Sequence, residues 1–237
     1  WQRYKVDIPE QDNLVQVFFE PLNESNYREV YVSFVTVVQY VKRNPNTNRE
    51  IDKYLIDEMR KLDKLIERSS PISIIGNADI EISSVEYNSR RVTQGSLFIC
   101  IKGFTVDGHS FIDDAVKKGA VAVIVEDVPA LPLPVTIVQV ADTRRALAMI
   151  SAAWFGYPAE QLTIIGLTGT KGKTTTSFLV KAIMEAAGVK TGLIGTVCSM
   201  IGDETLPNRL TTPDPIETQT LLRRMVDERG KTVVVVL

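Results

Sequence analysis

The sequence has little of what marks a secreted, disulfide-stabilised or membrane-spanning protein. Its 237 residues include two cysteines, Cys100 and Cys198, each in or beside an apolar run. Two thiols in such positions favour a reducing, cytoplasmic compartment and argue against a disulfide framework. No uninterrupted apolar run approaches the roughly 20 residues that a membrane-spanning helix needs, and no signal-peptide pattern opens the chain. We therefore expect a cytoplasmic protein.

Histidine and excess charge are equally scarce. The single histidine, His109, has no neighbours at metal-ligand spacing, so the sequence does not predict a histidine metal centre. Sequence alone leaves two interpretations of His109 open, a structural residue at a helix start, which we favour, and a catalytic residue. A formal net charge of -2 gives no general attraction to nucleic acid or to an anionic membrane.

What is present from residue 71 to about residue 157 is an alternation of short apolar strands and helices, which is typical of an α/β unit. Asp142 is a good N-cap for a helix that Gly156-Tyr157-Pro158 ends. Before this unit, residues 1–58 hold two strand-like runs and a helix start but no chemical motif, so we predict an extension of unknown role. The strands predicted for the unit cover residues 80–87, 97–102, 120–126 and 135–140.

A glycine loop opens a second unit, where the apolar run 162–167 leads into Gly169–Thr175. Gly169 and Gly172 let backbone N–H groups point inward, and the following helix adds its partial positive charge, which together make a phosphate cradle. We expect Lys173 to reach the β- and γ-phosphates of a nucleotide and Thr174 to hold magnesium. Leu167 occupies the position where the general P-loop pattern has glycine, so an ordinary strand-to-helix turn stays the alternative.

The rest of the second unit continues as an alternation of helices and strands. The helix after the loop carries Phe178, Leu179, Ile183 and Met184 on one side, and a strand follows at 191–196. A strand–helix–strand order favours parallel pairing. After an excursion at 197–209, Asp214 as N-cap and Pro215 at the first helical position predict another helix, and residues 232–237 predict a last, doubly covered strand.

Several short motifs follow one another in a fixed order. Each motif on its own can be explained by local structure, such as a polar strand end or the residues that lead into a capped helix. Together, over about residues 59–236, their order resembles the Mur ligases, and within them the MurE-type branch that adds the third peptide residue to UDP-MurNAc-L-Ala-D-Glu. The motifs are Asn88-Ser89-Arg90, Gly95-Ser96-Leu97-Phe98, Ile101-Lys102-Gly103, Asp107-Gly108-His109-Ser110-Phe111-Ile112, Gly119-Ala120, the loop Thr168 to Thr175, and Leu210-Thr211-Thr212-Pro213.

The resemblance implies an ATP-dependent amide ligase of peptidoglycan synthesis, with ATP and Mg²⁺ as cofactors. UDP-MurNAc-L-Ala-D-Glu and a diamino acid are the implied small-molecule partners, without nucleic acid or membrane insertion. In the family, the γ-phosphoryl group of ATP passes to the D-glutamyl carboxylate, and the amine of the diamino acid attacks the acyl phosphate. Carried over by motif, ATP would contact Gly169, Thr170, Lys171, Gly172, Lys173, Thr174 and Thr175, magnesium would contact Thr174, and the UDP-linked substrate would contact Ser89, Phe104, Thr105, Val106, Thr211 and Thr212.

The same resemblance suggests how the chain is divided. We expect the extension at 1–58, an α/β substrate domain at 59–157, and the front half of a parallel-sheet, P-loop-type ATP-binding domain at 158–237. Lys171 stands where the family commonly has asparagine. The added positive charge should be tolerated beside phosphates.

The two ends of the chain lead us to expect a truncated ligase. The chain opens on Trp1 and closes on Leu237, where the family continues into an acidic residue, a Ser-Ser-His, a modified lysine and a C-terminal domain. We therefore predict no complete catalytic residue set and no ligation by this chain alone. Two alternatives stay open, a non-catalytic module or fusion fragment that binds the UDP-MurNAc-peptide or a nucleotide, and an unstable fragment with an exposed strand edge.

Overall fold

The computed structural model describes residues 14–18, 35–39, 60–103, 106–130, 132–207, 213–228 and 232–236. The chain divides into two compact units, a first unit of Asn46–Tyr157 and a second unit of Pro158–Leu237 together with Trp1–Pro45. Strands β1 (Leu14–Phe18) and β2 (Val35–Gln39) pair in antiparallel fashion and lie within the two strand-like runs of the N-terminal extension. The helix start predicted before residue 59 lies outside the described residues.

The first unit is built on a five-stranded sheet of order β3-β7-β6-β5-β4. Strands β4 to β7 run parallel, and β3 pairs antiparallel with β7 at one edge. Because the four parallel strands run in one direction, the segments that follow them emerge at the same edge of the sheet, which we call the carboxyl edge. The strands are β3 (Ser73–Ile75), β4 (Ser84–Glu86), β5 (Ser96–Ile99), β6 (Ala120–Val125) and β7 (Thr136–Gln139).

In the described part of the first unit, three α-helices accompany the sheet: α1 (Leu62–Ile66), α2 (Ile112–Lys117) and α3 (Thr143–Trp154). The predicted N-cap of α3 is confirmed, since the Asp142 carboxylate accepts the backbone N–H groups of Arg144 at 2.8 Å and Arg145 at 3.0 Å. Helix α3 packs against α1 and against strands β4 and β6. Helix α2 closes a separate buried cluster that contains Val92, Phe98, Cys100, Ile112, Ala115, Ala120, Val123, Val125 and Ile137.

The second unit contains a sheet of order β11-β10-β9-β12-β8. Strands β8, β12 and β9 are parallel, but β12 lies between the other two, so the strand–helix–strand segment runs parallel without direct pairing of β8 and β9. Within the excursion predicted at 197–209, residues 198–207 form an antiparallel hairpin that extends the sheet beyond β9. The strands are β8 (Thr163–Leu167), β9 (Thr191–Ile194), β10 (Cys198–Ile201), β11 (Glu204–Pro207) and β12 (Thr232–Val236).

The two helices of the second unit differ in what they bury. In α4 (Lys173–Ala186) the buried residues are Ser177 and Lys181, while Leu179 and Ile183 are 58% and 66% exposed. The apolar side that the sequence indicated is therefore largely a solvent-exposed side. Helix α5 (Pro215–Asp227) buries Leu221, Leu222 and Met225. Its predicted start is confirmed, because the Asp214 carboxylate accepts the Glu217 N–H at 2.8 Å and Pro215 occupies the first turn.

Candidate functional site

The glycine loop of the second unit joins the end of β8 to the start of α4. Gly172 is the N-cap of α4 and has φ of 79°, a left-handed conformation that glycine adopts without a steric penalty. Glycine has no side chain that could accept a hydrogen bond from the first turn, and α4 has no side-chain cap. The other two long helices, α3 and α5, each have an aspartate in this position. The start of α4 is thus the one that suits an anion from outside the chain.

Lys173 is the first residue of α4, and its ammonium group is turned back onto the loop. Lys173 Nζ donates to the Gly169 carbonyl oxygen at 2.6 Å, so the loop and the helix start are tied together by one charged hydrogen bond. Thr174 is half-buried, and its carbonyl accepts from the Ser177 hydroxyl at 2.7 Å. Lys171, in contrast, is exposed. The ammonium group of Lys173 is thus held against the loop, whereas Lys171 is exposed to solvent.

The predicted magnesium ligand is Thr174. Within the described part of the chain, no three or more His, Cys, Asp or Glu side chains gather into a metal-binding cluster. The Thr174 hydroxyl, together with phosphate oxygens and water, would form a ligand set that suits Mg²⁺, which keeps several waters and binds through substrate phosphates.

In the first unit, Ser89 lies in a turn that follows β4. Within the turn, the Asn88 side-chain oxygen accepts the Arg90 N–H at 3.0 Å and the Asn88 carbonyl accepts the Arg91 N–H at 2.9 Å. Ser89 itself is only 9% exposed, and its carbonyl oxygen accepts a hydrogen bond from Lys118 Nζ at 2.9 Å. The turn is therefore fixed from within by Asn88 and from outside by Lys118.

The second predicted substrate segment follows β5. Phe104 and Thr105 lie outside the described residues, whereas Val106 is 55% exposed. The Gly103 N–H donates to the Val106 carbonyl at 3.0 Å, and Lys102 forms an antiparallel bridge with Asp107. These bonds close a tight turn at the carboxyl edge and leave the Val106 side chain accessible.

His109 is held by both ring nitrogens. Its Nε2 accepts the backbone N–H of Glu126 at 3.0 Å, so the proton is on Nδ1, which donates to the Asp107 carboxylate at 2.6 Å. The backbone N–H of His109, and secondarily its ring, lower the pKa of Asp107. Glu126 in turn accepts from both the N–H and the hydroxyl of Thr143 at the start of α3. The geometry supports the structural interpretation of His109, which joins the turn after β5 to the end of β6.

The predictions for Thr211 and Thr212 and for Cys100 have different outcomes. Thr211 and Thr212 lie outside the described residues, so their contact with the muramyl peptide stays a prediction. Cys100 is a free, fully buried thiol, and burial raises its pKa to about 12, which makes it a packing residue and an unreactive thiol at neutral pH.

Sequence reasoning missed Lys118 and Glu126, which hold the two segments predicted to contact the substrate in the first unit. Each had a detectable signal. Lys118 immediately precedes the Gly119-Ala120 motif, and Glu126 is the last residue of the strand predicted at 120–126, at the kind of strand end where ligand sites of α/β sheets are found. No helix within the described residues is long and apolar enough to cross a membrane.

Two family models match the chain. Residues 81–155 match the "Mur ligase family, catalytic domain", and residues 167–235 match the "Mur ligase middle domain". Among curated relatives, the UDP-N-acetylmuramoyl-L-alanyl-D-glutamate--2,6-diaminopimelate ligase of Clostridium perfringens is 47% identical over 154 residues, which is 65% of this chain and 32% of the relative. The ligase of the same name from Bacillus licheniformis is 46% identical over 175 residues, 73% of this chain and 36% of the relative.

Solved structures of such ligases share the fold. A structure of a UDP-N-acetylmuramoyl-L-alanyl-D-glutamate--2,6-diaminopimelate ligase has a TM-score of 0.60 at 23% identity and covers 73% of this chain and 35% of its own. A MurF from Acinetobacter baumannii has a TM-score of 0.51 at 24% identity, with 75% and 35% covered. This chain spans about a third of the length of the curated relatives it matches. The α/β fold expected from the sequence is confirmed, and the chain belongs to the Mur ligase family.

Proposed function

We propose that this chain carries the two nucleotide-binding parts of a peptidoglycan precursor ligase. Residues 59–157 form the substrate domain, which binds the UDP-linked muramyl peptide, and residues 158–237 form the ATP-binding part. The family assignment, the order of the motifs and the names of the relatives support this division. Residues 1–58 carry no proposed role.

The observation that carries the ATP assignment is the start of α4. The loop ends in Gly172, the helix has no side-chain cap, and Lys173 stands at the first helical position. A phosphate placed there accepts the open N–H groups of the first turn and gains the favourable helix dipole. We assign the backbone N–H groups of Gly169 to Thr175 to the phosphates, with the Lys173 side chain exchanging its bond to the Gly169 carbonyl for one to the β- and γ-phosphates.

Magnesium is the cofactor that this arrangement supports, with the Thr174 hydroxyl as its protein ligand. Phosphoryl transfer depends mainly on alignment and charge neutralisation, and the bound ion supplies part of that neutralisation. Lys173 supplies a second positive charge, and the N–H groups of the loop hold the phosphates in one orientation. Ser89, Val106 and the undescribed Phe104, Thr105, Thr211 and Thr212 are proposed contacts of the UDP-linked substrate.

For the whole ligase, we propose that the γ-phosphoryl group of ATP passes to the D-glutamyl carboxylate of UDP-MurNAc-L-Ala-D-Glu. The acyl phosphate is then attacked by the amine of a diamino acid, which is 2,6-diaminopimelate in the names of the relatives. The motifs of this chain provide the two nucleotide sites. We propose that these 237 residues, which span about a third of the length of the relatives, bind both nucleotides.

The experiment is a calorimetric titration of the full chain with ATP and magnesium. Lys173→Ala is expected to weaken ATP binding by at least about tenfold, since a charged hydrogen bond to phosphate is lost. Lys171→Ala is the matched control, because it removes one exposed positive charge from the same loop and is expected to change affinity by less than about threefold. Equal ATP affinity of the wild type and Lys173→Ala would contradict the assignment. UDP binding without any ATP binding would instead support the non-catalytic module.

A further inference from the structure

The ammonium group of Lys118 joins two elements of the first unit. Lys118 Nζ donates to the Ser89 carbonyl at 2.9 Å and to the Asp114 carboxylate, one turn earlier on α2, at 2.8 Å. The hydrogen bond from Lys118 is the main cause of the lowered pKa of Asp114, and the Ser89 side chain contributes to the same shift. One amine thus connects the end of α2 with the turn after β4.

The backbone that carries Lys118 has little freedom. The Lys118 N–H donates to the Asp114 carbonyl at 3.1 Å, and the Gly119 carbonyl accepts the Gly95 N–H at 2.8 Å. Gly119 has φ of 103°, and a Cβ at this position would lie 2.8 Å from the Gln94 Cα. Because the backbone is fixed on both sides of Lys118, its side chain starts from a defined point, and its ammonium group is then held by the Ser89 carbonyl and the Asp114 carboxylate.

From these contacts we infer that Lys118 is a positioning residue for the uridine-nucleotide site, with Asp114 orienting its amine. This inference rests on the proposed function of the first unit, in which Ser89 contacts the UDP-linked substrate. Lys118 does not contact the nucleotide. It holds the Ser89 carbonyl, and through it the turn at residues 88–91, in the conformation that binds.

The simpler explanation is that Lys118 only stabilises the end of α2, where a positive charge is favourable. That role predicts a loss of thermal stability with no specific effect on UDP affinity. A positioning role predicts a loss of UDP affinity that an arginine at 118 restores, since its guanidinium can donate to both oxygens.

The test measures UDP binding to the full chain by calorimetry, with thermal unfolding recorded for every variant. Lys118→Met is expected to weaken UDP binding about tenfold, as for one hydrogen bond from a charged donor, while Lys118→Arg stays within about threefold of the wild type. Lys117→Met is the matched control, because Lys117 is the exposed neighbour on the same helix and carries the same charge. Asp114→Asn provides a second variant, with an expected loss between those of Lys118→Met and Lys118→Arg.

A double-mutant cycle separates action through Ser89 from a general effect. Ser89→Ala keeps the carbonyl that Lys118 holds but removes the hydroxyl, so Lys118→Met in that background should cost clearly less UDP affinity than it does alone. Additive losses, or unchanged UDP affinity in folded Lys118→Met and Asp114→Asn, would overturn the inference and leave the proposed function intact. A wild-type chain that does not bind UDP would overturn both.

Discussion

The two candidate nucleotide sites differ in how far side chains from other elements hold them in place. At the carboxyl edge of the first unit, the substrate segments are held by side chains from other elements, Lys118 for the turn at Ser89 and His109 for the turn after β5. In the loop of the second unit, Lys173 bonds to its own loop, and the helix start has no side-chain cap. The first candidate site is therefore held in place by side chains from several elements, whereas the start of α4 leaves its first-turn N–H groups without a side-chain cap.

The largest expected effect concerns packing of the backbone next to Lys118. Gly119→Ala places a Cβ 2.8 Å from the Gln94 Cα in a left-handed conformation and is expected to cost roughly 2–4 kcal/mol of unfolding free energy. Gly188→Ala, after α4, is the matched control, because its φ of 76° is also positive but a Cβ there meets nothing within 4 Å. That control should cost only about 1 kcal/mol. Urea unfolding measures both, and equal losses would show that the backbone at Gly119 is not tightly packed.

Gly172→Ala tests whether the second site depends on its loop conformation. With φ of 79°, alanine at this position is expected to cost about 1–2 kcal/mol of stability. It should also weaken ATP binding, because relief of the strain turns the N–H groups away from the phosphates, and leave UDP binding unchanged. Parallel titrations with the two nucleotides check this. An unchanged ATP affinity would show that the loop does not need the left-handed residue.

Acid sensitivity should be greater at the first site. The His109 backbone N–H lowers the pKa of Asp107 and Lys118 lowers that of Asp114, so both carboxylates are more acidic in the folded state than their ordinary value of 3.8. Their stabilising contributions are complete above that value and are lost as the pH falls through the lower, folded-state pKa values. Asp107→Asn should therefore flatten the fall of unfolding temperature below about pH 4. An identical pH profile for this variant and the wild type would refute the contribution.

The smallest effect is chemical and leaves stability unchanged. Burial raises the pKa of the Cys100 thiol to about 12, so iodoacetamide at neutral pH should leave it unmodified in the folded chain and modify it only after denaturation. Cys198, which is half-buried, is the internal comparison and should react first. Mass spectrometry of the two cysteine peptides reads the outcome. Fast alkylation of Cys100 in the folded chain would show that the core beneath the first site opens readily.

The elements that depend on local rules were predictable from the sequence. Asp142 and Asp214 start α3 and α5 as N-caps, because a short carboxylate accepts N–H groups of the first turn wherever it precedes a helix. The strand–loop–helix around Gly172 follows from the same kind of local pattern.

Features that depend on distant contacts were not predictable. The position of β12 between β8 and β9 depends on which strands pair, and β3, with three residues, is too short to produce a periodic pattern. The buried residues of α4 are Ser177 and Lys181, and the hydrophobic periodicity of the helix did not indicate their burial. The contact of Lys118 with Ser89 joins residues 29 positions apart, which no local pattern indicates.

The two proposed nucleotide sites, one for UDP in the first unit and one for ATP in the second, are tested together by titrating the wild type, Ser89→Ala and Lys173→Ala with each nucleotide in turn. We expect Ser89→Ala to lose affinity for UDP alone and Lys173→Ala to lose affinity for ATP alone. Loss of affinity for both nucleotides in either folded variant, or for neither nucleotide, would contradict the presence of two separate sites.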